Sequence, residues 1–159
     1  MPFQIGDRIV HPLHGAGEID RIETRRINGQ NRHYYVLKLP GNGMVVMVPV
    51  DGCEEIGVRA VMDRSSMEEL FSRFSSLECS MTDNWNKRYR DNMLRIRSGE
   101  ILDLAGVIKG LLQRDSQRGL STGERRMLNQ AKQILLSEAS LSFECSFAEA
   151  EAMMAECMS

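Results

Sequence analysis

The sequence predicts an α+β protein in two parts: a small β domain over residues 1–52 and a compact helical domain over 64–159, joined by a linker at 53–63. Two observations predict this division. Apolar residues come in short alternating runs separated by turn clusters as far as Pro49, and at helical spacing beyond Ser66. Helix-capping patterns punctuate only the second part. A chain of 159 residues has room for one ordinary domain or two small ones.

In the first part, Phe3 to Val10 reads as a strand that ends at the turn cluster Pro12-Leu13-His14-Gly15. A second strand runs from Gly17 to Ile27. Asn28-Gly29 follows, the dipeptide preferred in type I′ hairpins because both of its positions tolerate positive φ. His33 to Leu39 forms the return strand, and Gly41-Asn42-Gly43 turns the chain into Met44–Val48, which Pro49 ends. So many short antiparallel strands in about fifty residues favour a strongly bent sheet or a barrel.

Beyond Asp51 the period changes. Ser66-Met67-Glu68-Glu69 matches a capping box, followed by Met67, Leu70, Phe71, Phe74 and Leu77 at helical spacing. Thr82 or Asp83 can cap a second helix carrying Trp85, Tyr89, Met93 and Ile96 on one face, with Gly99 at its end. Leu104, Ala105, Ile108, Leu111 and Leu112 mark a third helix ending before Gly119. Ser121-Thr122-Gly123-Glu124 opens a fourth, and Ser146 with Glu149 opens a last one whose apolar side is Ala150, Met153, Met154 and Cys157.

Composition narrows the function classes. Hydrophobic content of 42% and charged content of 26% are ordinary for a globular protein and argue against wholesale disorder. The longest apolar stretch, Met44 to Val50, is too short for a membrane span, and the N-terminus lacks a secretory pattern, so a cytoplasmic location is expected. Four scattered cysteines, Cys53, Cys79, Cys145 and Cys157, lack zinc-site spacing and are expected to be reduced thiols. His11 and His14 read as turn residues. No phosphate loop, metal helix, nucleophile elbow or Cys/His dyad is present. The expectation is a binding protein without catalytic residues, cofactor or metal.

Trp85, the sole tryptophan, stands in the run Asn84-Trp85-Asn86-Lys87-Arg88-Tyr89-Arg90. Cations neutralise phosphates while an aromatic face stacks on unpaired or kinked bases. The other reading is a core tryptophan on a helix with a basic outer face. Charge favours the first: residues 85–132 hold 11 Lys and Arg against 5 Asp and Glu, whereas 133–159 hold none against 5. A local net charge of +6 attracts a polyanion modestly and with strong salt dependence.

The run Gly6-Asp7-Arg8-Ile9-Val10-His11-Pro12-Leu13-His14-Gly15, with Ile22-Glu23-Thr24-Arg25, Tyr34-Tyr35-Val36-Leu37-Lys38 and Gly57-Val58-Arg59, resembles the CarD/CdnL family of bacterial transcription regulators. The likeness continues through Asn84–Tyr89, Arg114-Asp115, Arg118-Gly119-Leu120-Ser121 and Gly123–Leu128, covering about residues 3–138. It implies a Tudor-like N-terminal barrel, similar to the polymerase-interacting domain of transcription-repair coupling factor, that docks on the β subunit of RNA polymerase. It also implies a helical domain touching promoter DNA at the upstream edge of the melted bubble. By the resemblance, Arg25 holds a polymerase-contacting position. Met47 replaces a second contact arginine, a departure that bears on the strength of docking rather than its place.

The family's tryptophan wedge falls on Trp85, and its backbone-contacting cations fall on Lys87 and Arg90, with Arg125 as a further candidate. Arg88, within the same basic run, is also expected to contact phosphate. A protein of this kind is expected to be a monomer that stabilises the promoter open complex. Two other readings stay open on sequence: a free-standing minor-groove architectural protein, and a protein-only adaptor with Trp85 in its core.

Overall fold

The computed structural model describes residues 1–41, 43–79 and 81–158. Asn42, in the expected Gly-Asn-Gly turn, lies outside the described residues. Five antiparallel strands make one sheet in the order β4-β3-β2-β1-β5: β1 Arg8–His11, β2 Gly15–Ile27, β3 Gln30–Lys38, β4 Val45–Pro49 and β5 Arg59–Ala60. The β2–β3 hairpin closes as its sequence requires, with Asn28 at φ 52° and Gly29 at φ 77°.

One face of this sheet carries Ile9, Ile19, Tyr35, Leu37, Val46 and Val48 into a core that Leu39, Val50, Cys53 and Val58 complete. The segment expected to be a linker therefore contributes two buried side chains, and its Arg59–Ala60 pairs with Val10 and Ile9 of β1. The first strand starts at Arg8 rather than Phe3. Phe3 instead lays its ring edge-on to Tyr35, and its backbone exchanges hydrogen bonds with the Tyr35 hydroxyl at 3.0 and 3.1 Å.

Five α-helices follow: α1 Arg64–Ser72, α2 Trp85–Arg97, α3 Ile101–Arg118, α4 Thr122–Phe143 and α5 Phe147–Met158, with a short 3-10 turn at Phe74–Ser76. They bury Met67, Phe74, Ile108, Leu111, Leu135 and Met154 in a second, separate core. The capping boxes at Ser121 and Ser146 operate as read from sequence, each serine accepting the N–H of the glutamate three residues on.

Two caps differ from expectation. Asp63, not Ser66, opens α1 by accepting the Ser66 N–H at 2.8 Å, since a carboxylate also complements the positive helix end. Asn84, not Thr82 or Asp83, opens α2 by accepting the Lys87 N–H at 3.0 Å. The Thr82 and Asp83 carbonyls receive the Arg88 guanidinium instead, which leaves Trp85 as the first helical residue.

The two cores meet along α4. Ser137 Oγ accepts the Ala16 N–H of β2 at 2.8 Å, and the Glu138 carboxylate takes both arms of Arg59 at 2.7 Å and the Met62 N–H at 2.8 Å. Gly15 is required at this seam: at φ 106°, a Cβ on it would lie 2.5 Å from Ser137 Oγ.

Candidate functional site

Because Asn84 caps α2, Trp85 projects from the helix's first turn rather than into the bundle, and it stays 43% exposed. Its indole is nevertheless held. One face stacks on Tyr89, a helical turn later, at 5.2 Å between centroids and 20° between planes. Its Nε1–H donates to Ser121 Oγ, the N-cap of α4, at 3.1 Å. Gly123 lies beside both rings, each at an ordinary contact distance of 3.6 Å from where its Cβ would be. A planar group is thus fixed with one face covered by the protein, an arrangement suited to stacking on a single base.

Arg88 is a correction to the sequence reading. Only 3% of its side chain is exposed, and it pairs with buried Glu124 at 2.8 and 3.3 Å, so it reaches no phosphate. The reason is helical phase: Arg88, Asn92 and Ile96 form the inward column of α2. Burial would raise the Glu124 carboxyl, but the Arg88 guanidinium, helped by Ser121, holds it below the usual carboxylate value. The Arg88–Glu124 pair therefore braces Ser121, whose hydroxyl donates to Glu124 Oε1 at 3.2 Å, and through Ser121 the indole.

Lys87 and Arg90 are exposed on the outward side of α2, together with Arg97 and the largely solvent-facing Leu94. Arg125, on α4, is also exposed but bonded to Asp115 at 2.9 Å. The structure places Trp85, Lys87 and Arg90 in the N-terminal half of α2, with the two cations on its outward side and Arg88 on its inward one. Sequence reading missed the anchoring roles of Ser121 and Tyr89. The signals were present as a capping serine and an aromatic pair at i, i+4.

Arg25 and Met47 lie in the other half. Arg25 faces Arg32 across β2 and β3, and Met47 faces Val36 across β3 and β4. Directly paired residues share a face, and Arg32 and Val36 are four apart on β3, so all four lie on the sheet face opposite Tyr35 and Leu37. Arg25 and Met47 are then separated by about 13 Å along the strands. Arg25 is more than half exposed, with Glu23 at 3.3 Å, while Met47 sits half-buried on β4, a sheet edge. No helix among the described residues is long and apolar enough to cross a membrane.

Comparison with known proteins follows the same division. Residues 3–62 match the family model described as the CarD-like/TRCF RID domain, and residues 69–155 match that of the CarD C-terminal domain. A protein of Bacillus subtilis (strain 168), YdeB, named as a candidate transcription factor, is 34% identical over 136 residues, spanning 86% of this chain and 89% of the relative. Both halves are matched, in order, over nearly all of their length; the chain belongs to the CarD family of transcription factors, with an RNA polymerase-interacting domain of Tudor-like type at its N-terminus.

Proposed function

We propose that this protein docks on the β subunit of RNA polymerase through the outer face of its sheet and stabilises the promoter open complex by placing Trp85 at the upstream edge of the bubble. The observation that carries this reading is the Trp85 seat: a half-exposed indole, backed by Tyr89 and tied to Ser121, beside exposed Lys87 and Arg90. Docking uses Arg25 and the surface around Met47, where methionine supplies apolar contact in place of a second cation.

Magnitudes decide where the ring works. Unstacking a base step costs a few kcal/mol, and stacking on an aromatic returns about 1–3 kcal/mol. On closed duplex the two nearly cancel. At a fork that polymerase has already opened, the return is kept, and each 1.4 kcal/mol of preference for the open state shifts its equilibrium about tenfold. Lys87 and Arg90 add phosphate contacts that weaken with salt, and Arg125 adds less because Asp115 already neutralises it.

The test is the lifetime of promoter open complexes formed by purified RNA polymerase after competitor challenge. Wild-type protein should lengthen it. Trp85→Ala should abolish the effect while still co-purifying with polymerase, and Arg25→Glu should abolish both. An undiminished effect from folded Trp85→Ala protein would sink the wedge. Tight binding of the free protein to naked duplex at physiological salt would favour an architectural protein instead.

A further inference from the structure

We infer that α4 is a rigid ruler that fixes the distance and angle between the polymerase-docking sheet and the Trp85 ring, and that Glu138 is the positioning residue that holds it. The inference rests on the function proposed above. Two halves joined by a flexible linker would be coupled only through effective concentration. Here a single helix reaches both. Its N-cap, Ser121, anchors the indole, and Ser137 and Glu138, roughly 25 Å further along the axis at 1.5 Å per residue, bond to the sheet.

The bonds at the far end are directional. Glu138 is fully buried yet both of its oxygens are bonded, because Arg59 binds it bidentately and the Met62 N–H adds a third donor. Arg59 Nη1 also donates to the Ala60 carbonyl at 3.1 Å, tying the pair to β5. On the next helical position, Ser137 bonds to β2. Arg8 of β1 then reaches the Leu141 carbonyl at 3.0 Å, and Gln130 reaches the Leu13 carbonyl at 3.4 Å. Contacts to β1, β2, β5 and the turn between β1 and β2 fix translation along the helix and rotation about it.

An ion pair whose carboxylate is buried and whose guanidinium is partly exposed is weak support for stability, since an apolar pair of similar volume is often as good. Apolar surfaces, however, can slide, and a bidentate carboxylate–guanidinium pair cannot without breaking. The use of Glu138 where leucine would pack therefore points to a fixed orientation. A ring that must enter one base step has to arrive within an ångström or so of it, and a hinge between the halves would spread its positions over many.

The experiment compares wild type, Trp85→Ala and the combined variant Arg59→Ala/Ser137→Ala/Glu138→Gln. Three measurements are made on each: hydrogen exchange at the Ala16 and Met62 amides, binding of the free protein to forked DNA, and open-complex lifetime against protein concentration. In the combined variant, both amides should exchange faster. Fork affinity and the concentration giving half-maximal effect should stay within about twofold of wild type, while the lifetime gain at saturation falls at least about threefold. That split between the half-maximal concentration and the plateau is not expected from simple loss of folded protein, which would move the concentration. Full lifetime gain despite an opened seam overturns the ruler. So do seam amides that remain as protected as in wild type, and so does loss of fork binding by the free variant. Trp85→Ala serves as the control for the underlying reading, and retention of its lifetime gain would count against the wedge itself.

Discussion

Arg88→Met should destabilise the fold by about 3–5 kcal/mol, the range for leaving one member of a buried ion pair without its partner. The upper half of that range applies, because the guanidinium also satisfies the Thr82 and Asp83 carbonyls at 3.1 Å each, and both lose their donor with it. At roughly 2–4 °C per kcal/mol for a chain of this size, the melting temperature falls by roughly 8–20 °C. Arg90→Met removes the same charge two residues later, on the exposed side. It should change stability by less than about 0.5 kcal/mol but reduce the salt dependence of fork binding by about one counterion. Urea midpoints and fork-binding isotherms at several salt concentrations separate the two variants. Arg88→Met/Glu124→Leu should recover much of the lost stability by removing the orphaned carboxylate. If Arg88→Met keeps the wild-type midpoint and instead flattens the salt slope, Arg88 is a phosphate ligand and its burial beside Glu124 is not how the protein works.

Glu124 has a folded-state pKa held below the usual value of 4.5, so its contribution to stability is complete above about pH 4.5 and is lost as pH falls through the folded value. Urea midpoints from pH 5 to pH 3 should therefore fall less steeply in Glu124→Gln than in wild type. Gly15→Ala should cost about 2 kcal/mol or more, read as a lower unfolding midpoint, because it combines positive φ with a collision against Ser137. Adding Ser137→Ala should relieve only part of that loss, since the Gln133 carbonyl at 3.2 Å and Ile134 Cα at 3.3 Å still crowd the methyl. Gly123→Ala should stabilise α4 by up to about 1 kcal/mol, and its methyl, in ordinary contact with Trp85 and Tyr89, should leave fork affinity equal or higher.

The hairpin at Asn28-Gly29 and the caps at Ser121 and Ser146 were legible because each is a local pattern with a local cause: positive φ at the turn, and a serine facing the N–H of the residue three further on. Trp85 was legible as a candidate for the same reason, since its chemistry and its charged neighbours are adjacent in sequence. Arg88 was not, because its fate depends on Glu124, thirty-six positions away. A basic run on a helix must turn some of its cations inward, and which ones depends on where the helix starts; the shift of the cap to Asn84 settled that. The seam was hidden for a similar reason. Glu138 reads as one solvated charge among the acidic residues after 133, and nothing local distinguishes it from Glu144, which is exposed. Only the approach of Arg59 from the sheet turns it into a fixed joint.

The partition of charge bears on why such a protein would depend on polymerase. Lys87, Arg90 and Arg97 are the exposed cations of α2, and three phosphate contacts give a salt slope near −2.7, hence roughly a fortyfold loss of affinity between 50 and 200 mM salt. The acidic C-terminal portion opposes any gain elsewhere. There α5 packs on α4, α1 and the 3-10 turn, and Glu151 neutralises Lys132 at 2.6 Å. With only those three contacts, free protein at cellular salt would be a poor ligand for bulk duplex, although duplex is in vast excess. Under the proposed function, docking would reverse the balance, because a short rigid connection would present Trp85 to the fork at an effective concentration on the order of millimolar, enough to fill a site of weak intrinsic affinity. A stronger basic patch would raise fork affinity and trap the protein on duplex that no polymerase has opened. On this reading, replacing exposed Glu156 with lysine should raise affinity for naked duplex and, at limiting protein with excess competitor duplex, lower the open-complex lifetime gain. A rise in both would show that weak binding is incidental rather than the means by which polymerase selects the site of action.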